Sequence, residues 1–187
     1  SQASGKVALL TVWSGTLAGQ VNVFVSQDML RLFAAEVSSS GVAAQDLLQQ
    51  GNERSTDFAD NIVPPLDSNG NGSTVAGSHE PLKKLAPRLP LMINYLNEFA
   101  EKNNFTGVCL VNTDLQIYLA PDGQQTVAEE LKPYLKQAIE DKHPILMPVR
   151  RENGRLVMDV AFPIFAPLYV DSTGERVVSL LLGAYGV

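Results

Sequence analysis

Cysteine and histidine are almost missing from this chain of 187 residues, which contains one cysteine, Cys109, and two histidines, His79 and His143. A lone cysteine excludes an intramolecular disulfide framework and any zinc or iron–sulfur site built from cysteines. The motifs of zinc proteases, haem attachment, nucleotide-binding loops and serine hydrolases are absent too. We therefore predict no catalytic residue, no metal ligand and no cofactor, and we expect the domain not to be an enzyme.

Positive charge is also scarce. Fourteen Lys and Arg residues stand against twenty Asp and Glu residues, so the formal net charge is −6. Nucleic acids and anionic membrane surfaces attract basic proteins, and the composition therefore predicts neither as a partner. A hydrophobic fraction of 45% over this length suffices for a packed core, and we expect a single domain over residues 1–187.

Charge is absent altogether between Lys6 and Asp28, a stretch of twenty-one residues that is nearly long enough to cross a bilayer. Interspersed Ser, Thr, Gly, Gln and Asn residues argue against a spanning helix. Apolar side chains at three- and four-residue steps predict instead one long amphipathic helix over residues 1–40, ending at a Ser-Ser-Ser-Gly stop signal. Gly15 and Gly19 have the spacing of a close helix–helix contact, although two incidental glycines explain them equally well.

Residues 41–104 are expected to form an irregular cover followed by a second helix, which starts at Pro90. Within the cover, Asp67-Ser68-Asn69-Gly70-Asn71-Gly72 matches the opening of a calcium-binding loop. Its twelfth position is Ser78 rather than the bidentate glutamate that such loops require. A glycine-rich turn is the preferred interpretation, and calcium binding at this loop stays open.

From Phe105 onward the helical period gives way to short apolar runs separated by turns. A hairpin and a helix opened by a capping box at Thr126 are followed by three further strands. The predicted strands are Val108–Val111, Ile117–Leu119, Ile145–Arg151, Leu156–Phe165 and Val177–Tyr185. Tight hairpins and one helical crossover predict an α+β domain, in which residues 105–187 form a five-stranded antiparallel sheet covered on one face by the long helices.

Two stretches of the chain are similar to a known family. One runs from Leu89-Pro90-Leu91-Met92 through Leu96-Asn97-Glu98-Phe99-Ala100 into Phe105-Thr106-Gly107-Val108-Cys109-Leu110-Val111-Asn112. The other comprises Val160-Ala161-Phe162-Pro163-Ile164 and Gly174-Glu175-Arg176-Val177-Val178-Ser179-Leu180-Leu181-Leu182-Gly183. In these stretches the chain resembles Cache domains, the PAS-like extracytoplasmic sensor domains of bacterial membrane receptors.

The resemblance implies a periplasmic ligand-sensing domain of an inner-membrane histidine kinase, chemoreceptor or diguanylate cyclase. Such a domain binds a small molecule and transmits through its N-terminal helix, and the same helix implies a homodimer. A kinase or cyclase output domain would then belong to the parent protein. The alternative is a cytosolic interaction module of profilin or roadblock type that binds no small molecule.

The candidate ligand site follows from one charge inside an apolar strand. Asp159 interrupts that strand, where a carboxylate should be paired or functional, and the preceding hairpin brings Arg150 near it. A structural ion pair and a ligand site are equally acceptable interpretations; in the ligand site Arg150 binds a carboxylate and Asp159 an amine, as for an amino acid. Tyr118 is expected to close the pocket, with Met147 and Tyr169 as weaker candidates.

Overall fold

The structure is a computed structural model that describes residues 15–57, 79–167 and 177–186. Its helices are α1 (15–25), α2 (Asp28–Ser40), α3 (Ala44–Asp57), α4 (His79–Leu85), α5 (Leu89–Lys102) and α6 (Lys132–Asp141). Its strands are β1 (Phe105–Val111), β2 (Ile117–Leu119), β3 (Ile145–Leu146), β4 (Arg150–Glu152), β5 (Arg155–Phe165) and β6 (Val177–Gly186). Short 3-10 turns, Ala86–Arg88 and Glu129–Leu131, precede α5 and α6.

The strands form one antiparallel sheet, so the predicted α+β class is confirmed. The strand order is β2-β1-β6-β5, and both β3 and β4 pair with the outer side of β5. Within the described residues the sheet has six strands rather than the predicted five, because the strand predicted over Ile145–Arg151 is divided into β3 and β4. Pro148 lies in the gap and has no backbone N–H to continue the ladder.

The N-terminal helix is interrupted, and the prediction of one continuous helix is wrong in that respect. Ser26 forms a turn and Gln27 is extended, with φ −65° and ψ 133°. The Ser26 hydroxyl donates a hydrogen bond of 2.6 Å to the carbonyl of Asn22. The helical region does end at Ser40 as expected, with Gly41 left-handed at φ 72°.

The sheet packs on both faces, and this explains the continuous apolar runs of β1, β5 and β6. One face, called here the helix face, carries Val160, Phe162 and Leu181 against α1, α2 and α5. The other, called here the pocket face, carries Cys109, Ala161 and Leu182 on the side of α6. Side chains alternate between these faces along each strand, so every second residue of a strand lies on the same face.

Candidate functional site

A pocket of about 620 Å³ lies on the pocket face. Its floor is formed by β1, β5 and β6, and its sides by the β4–β5 hairpin and by the segment between β2 and α6. The charged and amide side chains that line it belong to Asp122, Gln124, Glu130, Arg150, Glu152, Asn153 and Asp159. Backbone at Gly107 and Gly183 adds to the floor.

The tight β4–β5 turn brings Arg150 and Asp159 together. Asn153 and Gly154 both have positive φ, 50° and 77°, as a two-residue hairpin requires. Arg150 lies opposite Val157, so Asp159 is its diagonal neighbour on the same face, within reach of a long side chain. The turn fixes the register of β4 against β5, and this register brings the Arg150 and Asp159 side chains together.

Arg150 and Asp159 form a two-point ion pair. Arg150 Nε donates to Asp159 Oδ2 at 2.7 Å, and Nη2 donates to Oδ1 at 3.2 Å. A third guanidinium nitrogen, Nη1, lies 3.3 Å from Oε1 of Glu152. The Asp159 side chain is 5% exposed and that of Arg150 38% exposed, so the pair extends from the sheet toward solvent. Among the described residues, Asp159 is the only buried charged side chain.

The electrostatic character of this region is visible in two pKa shifts. The hydrogen bonds to Asp159 hold the pKa of Arg150 above its usual range, so this side chain stays charged at any ordinary pH. Burial raises the pKa of the Cys109 thiol, and the negative charges of Asp122 and Asp159 raise it further. Cys109 is therefore the inert buried residue that its apolar strand predicts.

The segment after β2 holds Asp122 over the floor of the pocket. Asp122 Oδ1 accepts a hydrogen bond of 3.2 Å from the backbone N–H of Gln124, and Gly123 is left-handed at φ 81°. The carboxylate of Asp122 lies so close to Gly107 that a β-carbon there would collide with it. Glycine at position 107 thus permits this close approach.

The five residues predicted for the site do not all lie at the pocket. Arg150 and Asp159 both line the pocket. Met147 is buried in the core cluster of the pocket face and is not one of the residues that line the pocket. Tyr118 lies on the helix face, with its ring 6.5 Å from that of Phe33, so the expectation that it closes the pocket is wrong. Tyr169 lies outside the described residues.

A β-bulge explains the position of Tyr118. Leu110 pairs with Leu119 and the adjacent Val111 pairs with Ile117, which leaves Tyr118 as an extra residue between the two pairs. Such a bulge changes the alternation of side chains across a strand. The hairpin signal in the sequence contains no information on this bulge, and Tyr118 consequently joins the helix-face core.

The acidic residues Asp122, Glu130 and Glu152 were not predicted as site residues. They come from a turn, a short helical turn and a hairpin, where composition alone does not distinguish a pocket lining from ordinary solvent-exposed charge. The Pro121-Asp122-Gly123 sequence is the one local signal here, and such a triplet indicates a chain reversal only.

We expect replacement of Tyr118 by phenylalanine to leave the free energy of unfolding unchanged or to raise it by about 1 kcal/mol. The Tyr118 hydroxyl and the Ser179 hydroxyl are both buried, and neither has a hydrogen bond of ordinary geometry within the described part of the chain. Burial raises the pKa of Tyr118, while the nearby Ser179 hydroxyl lowers it slightly. Urea denaturation measures the effect, and a loss above about 1 kcal/mol would contradict the absence of a strong hydrogen bond.

Two further properties concern the described residues alone. None of the helices within residues 15–57 and 79–167 combines the length and hydropathy that a bilayer crossing requires. In the same ranges and in residues 177–186, no group of three His, Cys, Asp or Glu side chains could hold a metal ion. The predicted glycine-rich turn at Asp67–Gly72 lies outside the described residues.

Comparison with known proteins found similarity in structure alone. The sequence matches no protein-family model and no curated protein. The structure of a sensory box sensor histidine kinase from Vibrio cholerae is similar at 15% identity and a TM-score of 0.36, over 62% of this chain and 99% of that chain. The ligand binding domain of Mlp24 with asparagine is similar at 16% identity and a TM-score of 0.35, over 83% of this chain and 60% of that chain.

By their descriptions, one of these neighbours is a sensor histidine kinase and the other is a ligand binding domain. At such identities and TM-scores the likeness assigns neither a role nor a pocket residue to this chain. The chain spans about three fifths of the Mlp24 domain, so what that domain binds is a property of Mlp24 alone.

Proposed function

We propose that this chain is the extracytoplasmic ligand-sensing domain of a membrane-bound bacterial signalling protein, such as a histidine kinase, chemoreceptor or diguanylate cyclase, and is not itself an enzyme. The observation that carries the proposal is the pocket with the Arg150–Asp159 ion pair on its floor. Its volume of about 620 Å³ falls within the usual range of small-molecule sites. A few charged groups on an otherwise apolar sheet are the usual means of orienting a small ligand.

Transmission through the N-terminal helix is supported by a continuous row of aromatic rings. Phe24 of α1 stacks on Phe99 of α5 with ring centroids 4.0 Å apart, and Phe99 stacks on Phe105 of β1 at 5.2 Å. The Phe105 ring lies directly over Gly183, whose backbone forms part of the pocket floor. We propose that ligand-induced shifts of β6 reach α1 through these rings, since packed side chains resist continuous deformation.

Pairing of two copies through α1 is the remaining part of the proposal. Gly15, Gly19 and Val23 lie at four-residue steps on this helix and are all exposed, Val23 to 65%. Small residues at this spacing let two helix backbones approach closely. Sedimentation equilibrium measures the oligomeric state, and a monomer at all concentrations would contradict this part.

We expect Ala184→Trp to abolish small-molecule binding while the domain stays folded. Ala184 lines the pocket and is only half-buried, so an indole there fills the space without entering the core. The measurement is a thermal-shift screen of amino acids, amines and carboxylates, followed by calorimetry on each hit. Ala43→Trp is the matched control, because Ala43 is exposed and lies outside the pocket lining.

Two results would contradict the proposal. A hit that binds Ala184→Trp as tightly as the parent chain occupies another site. A complete absence of hits would favour the ligand-free interaction module of profilin or roadblock type.

A further inference from the structure

The lining of the pocket contains more carboxylates than cations. Asp122, Glu130, Glu152 and Asp159 contribute four negative charges, and Arg150 contributes the one positive charge among the described lining residues. The formal net charge of this lining is therefore −3. Low-dielectric walls focus the electric field of these charges, so the pocket attracts cations and disfavours anions.

The one cation in the lining is already neutralised by the protein. Two of the three guanidinium nitrogens of Arg150 donate to Asp159, and the third lies 3.3 Å from Glu152. A carboxylate ligand would have to compete with both protein carboxylates for Arg150. An ammonium ligand, in contrast, finds carboxylates that can accept its hydrogen bonds.

The negative potential extends into the floor beneath the pocket. The charges of Asp122 and Asp159 both raise the pKa of the Cys109 thiol beyond the effect of burial. Cys109 Sγ lies 3.9 Å from Oε1 of Gln124, which lines the pocket. Both carboxylates thus act on the same small region from different strands and loops.

The position of Arg150 allows it to leave Asp159 without uncovering the core. Arg150 begins β4, a strand of three residues at the outer edge of the sheet, and its side chain is 38% exposed. Asp159 is on the long inner strand β5 and is 5% exposed. Of the two partners, Asp159 is therefore the fixed one and Arg150 the one that can move toward solvent.

We propose, on the basis of the proposed function, that the ligand is an amine-bearing cation without a carboxylate, and that its ammonium group displaces Arg150 from Asp159. In the empty site the guanidinium of Arg150 occupies the place of the ligand's ammonium group. Release of Arg150 frees the short strand β4, and a second ammonium group on the ligand is attracted by the remaining carboxylates. This differs from the arrangement predicted from the sequence, in which Arg150 binds a ligand carboxylate.

The test compares three probes by calorimetry at one fixed ionic strength: 1,4-diaminobutane, succinate and asparagine. We expect the parent chain to bind the diamine and not succinate. Arg150→Gln should bind the diamine about tenfold more tightly, because the internal competitor is gone, and Asp159→Asn should lose about tenfold or more. Circular dichroism checks the fold of each variant.

A second pair of variants avoids the ion pair and therefore any risk to folding. Glu130→Gln removes an exposed carboxylate at the pocket and should weaken diamine binding a few-fold. Glu140→Gln removes an exposed carboxylate of α6 outside the pocket lining and should leave the affinity unchanged. Equal effects of the two substitutions would overturn the inference.

The outcomes separate the inference from the proposed function. Binding of succinate or asparagine in preference to the diamine, lost in Ala184→Trp, would overturn the inference and leave the proposed function intact. Weaker diamine binding in Arg150→Gln would overturn the displacement of Arg150. If nothing in the wider screen responds to Ala184→Trp, the proposed function fails and the inference fails with it.

Discussion

Replacement of Phe99 by alanine is expected to lower the free energy of unfolding by about 3–5 kcal/mol. Phe99 is 6% exposed and lies in the middle of the aromatic row, 4.0 Å from the Phe24 ring and 5.2 Å from the Phe105 ring. Truncation removes both contacts and leaves a cavity between α1, α5 and β1, which rigid secondary structure closes only in part. Urea denaturation followed by circular dichroism measures the loss.

Leu91→Ala is the matched control for Phe99→Ala. Leu91 lies on the same helix and is 58% exposed, so its truncation should change the free energy of unfolding by no more than about 0.5 kcal/mol. Hydrogen exchange gives a second readout, because loss of the Phe99 ring should speed exchange in α1 more than in β5. Similar losses in the two variants would mean that the aromatic row does not anchor α1.

Gly183→Val is expected to destabilise the domain by about 1–3 kcal/mol through overpacking. A β-carbon at position 183 would lie 2.9 Å from Cδ1 of Phe105 and 3.3 Å from the backbone oxygen of Gly107. The Phe105 ring cannot move away easily, since it packs against Phe99 at 5.2 Å and Tyr185 at 5.4 Å. Because Gly183 is also part of the pocket floor, ligand binding should weaken together with stability.

Gly186→Val distinguishes this steric effect from the general cost of changing a glycine in β6. A β-carbon at position 186 would meet no atom within 4 Å, and valine favours strands. We expect this variant to be as stable as the parent chain or slightly more stable. Equal destabilisation by the two valines would show that the contact with Phe105 is not the cause.

Local signals explain which parts of the candidate site could be predicted. The Asn153-Gly154 dipeptide specifies a two-residue turn, the turn specifies the register, and the register brings Arg150 to Asp159. The pairing was accordingly predicted from the sequence, while its role in binding stays a proposal. Pro133 lies in the first turn of α6, where its missing N–H is unpaired in any case.

Other parts of the fold depend on contacts between distant segments. The break at Gln27 is accompanied by packing of Phe24 on Tyr95 and Phe99, more than seventy residues away. The apolar period is nearly continuous through this break, so the sequence predicted one helix. Tertiary packing overrides local preference in such cases.

The sequence by itself determined the α+β class, the hairpins, the pairing of Arg150 with Asp159 and the inert character of Cys109. Each of these follows from a spacing within a few residues, where periodicity and turn chemistry act directly. Only the tertiary structure decided that Tyr118 faces the helices and that Asp122 and Glu130 join the pocket. A bulge changes which face of the sheet the following side chains point to, and the local sequence contains no sign of it. The loops that carry Asp122 and Glu130 reach the pocket through packing between distant segments, which a local pattern cannot predict either.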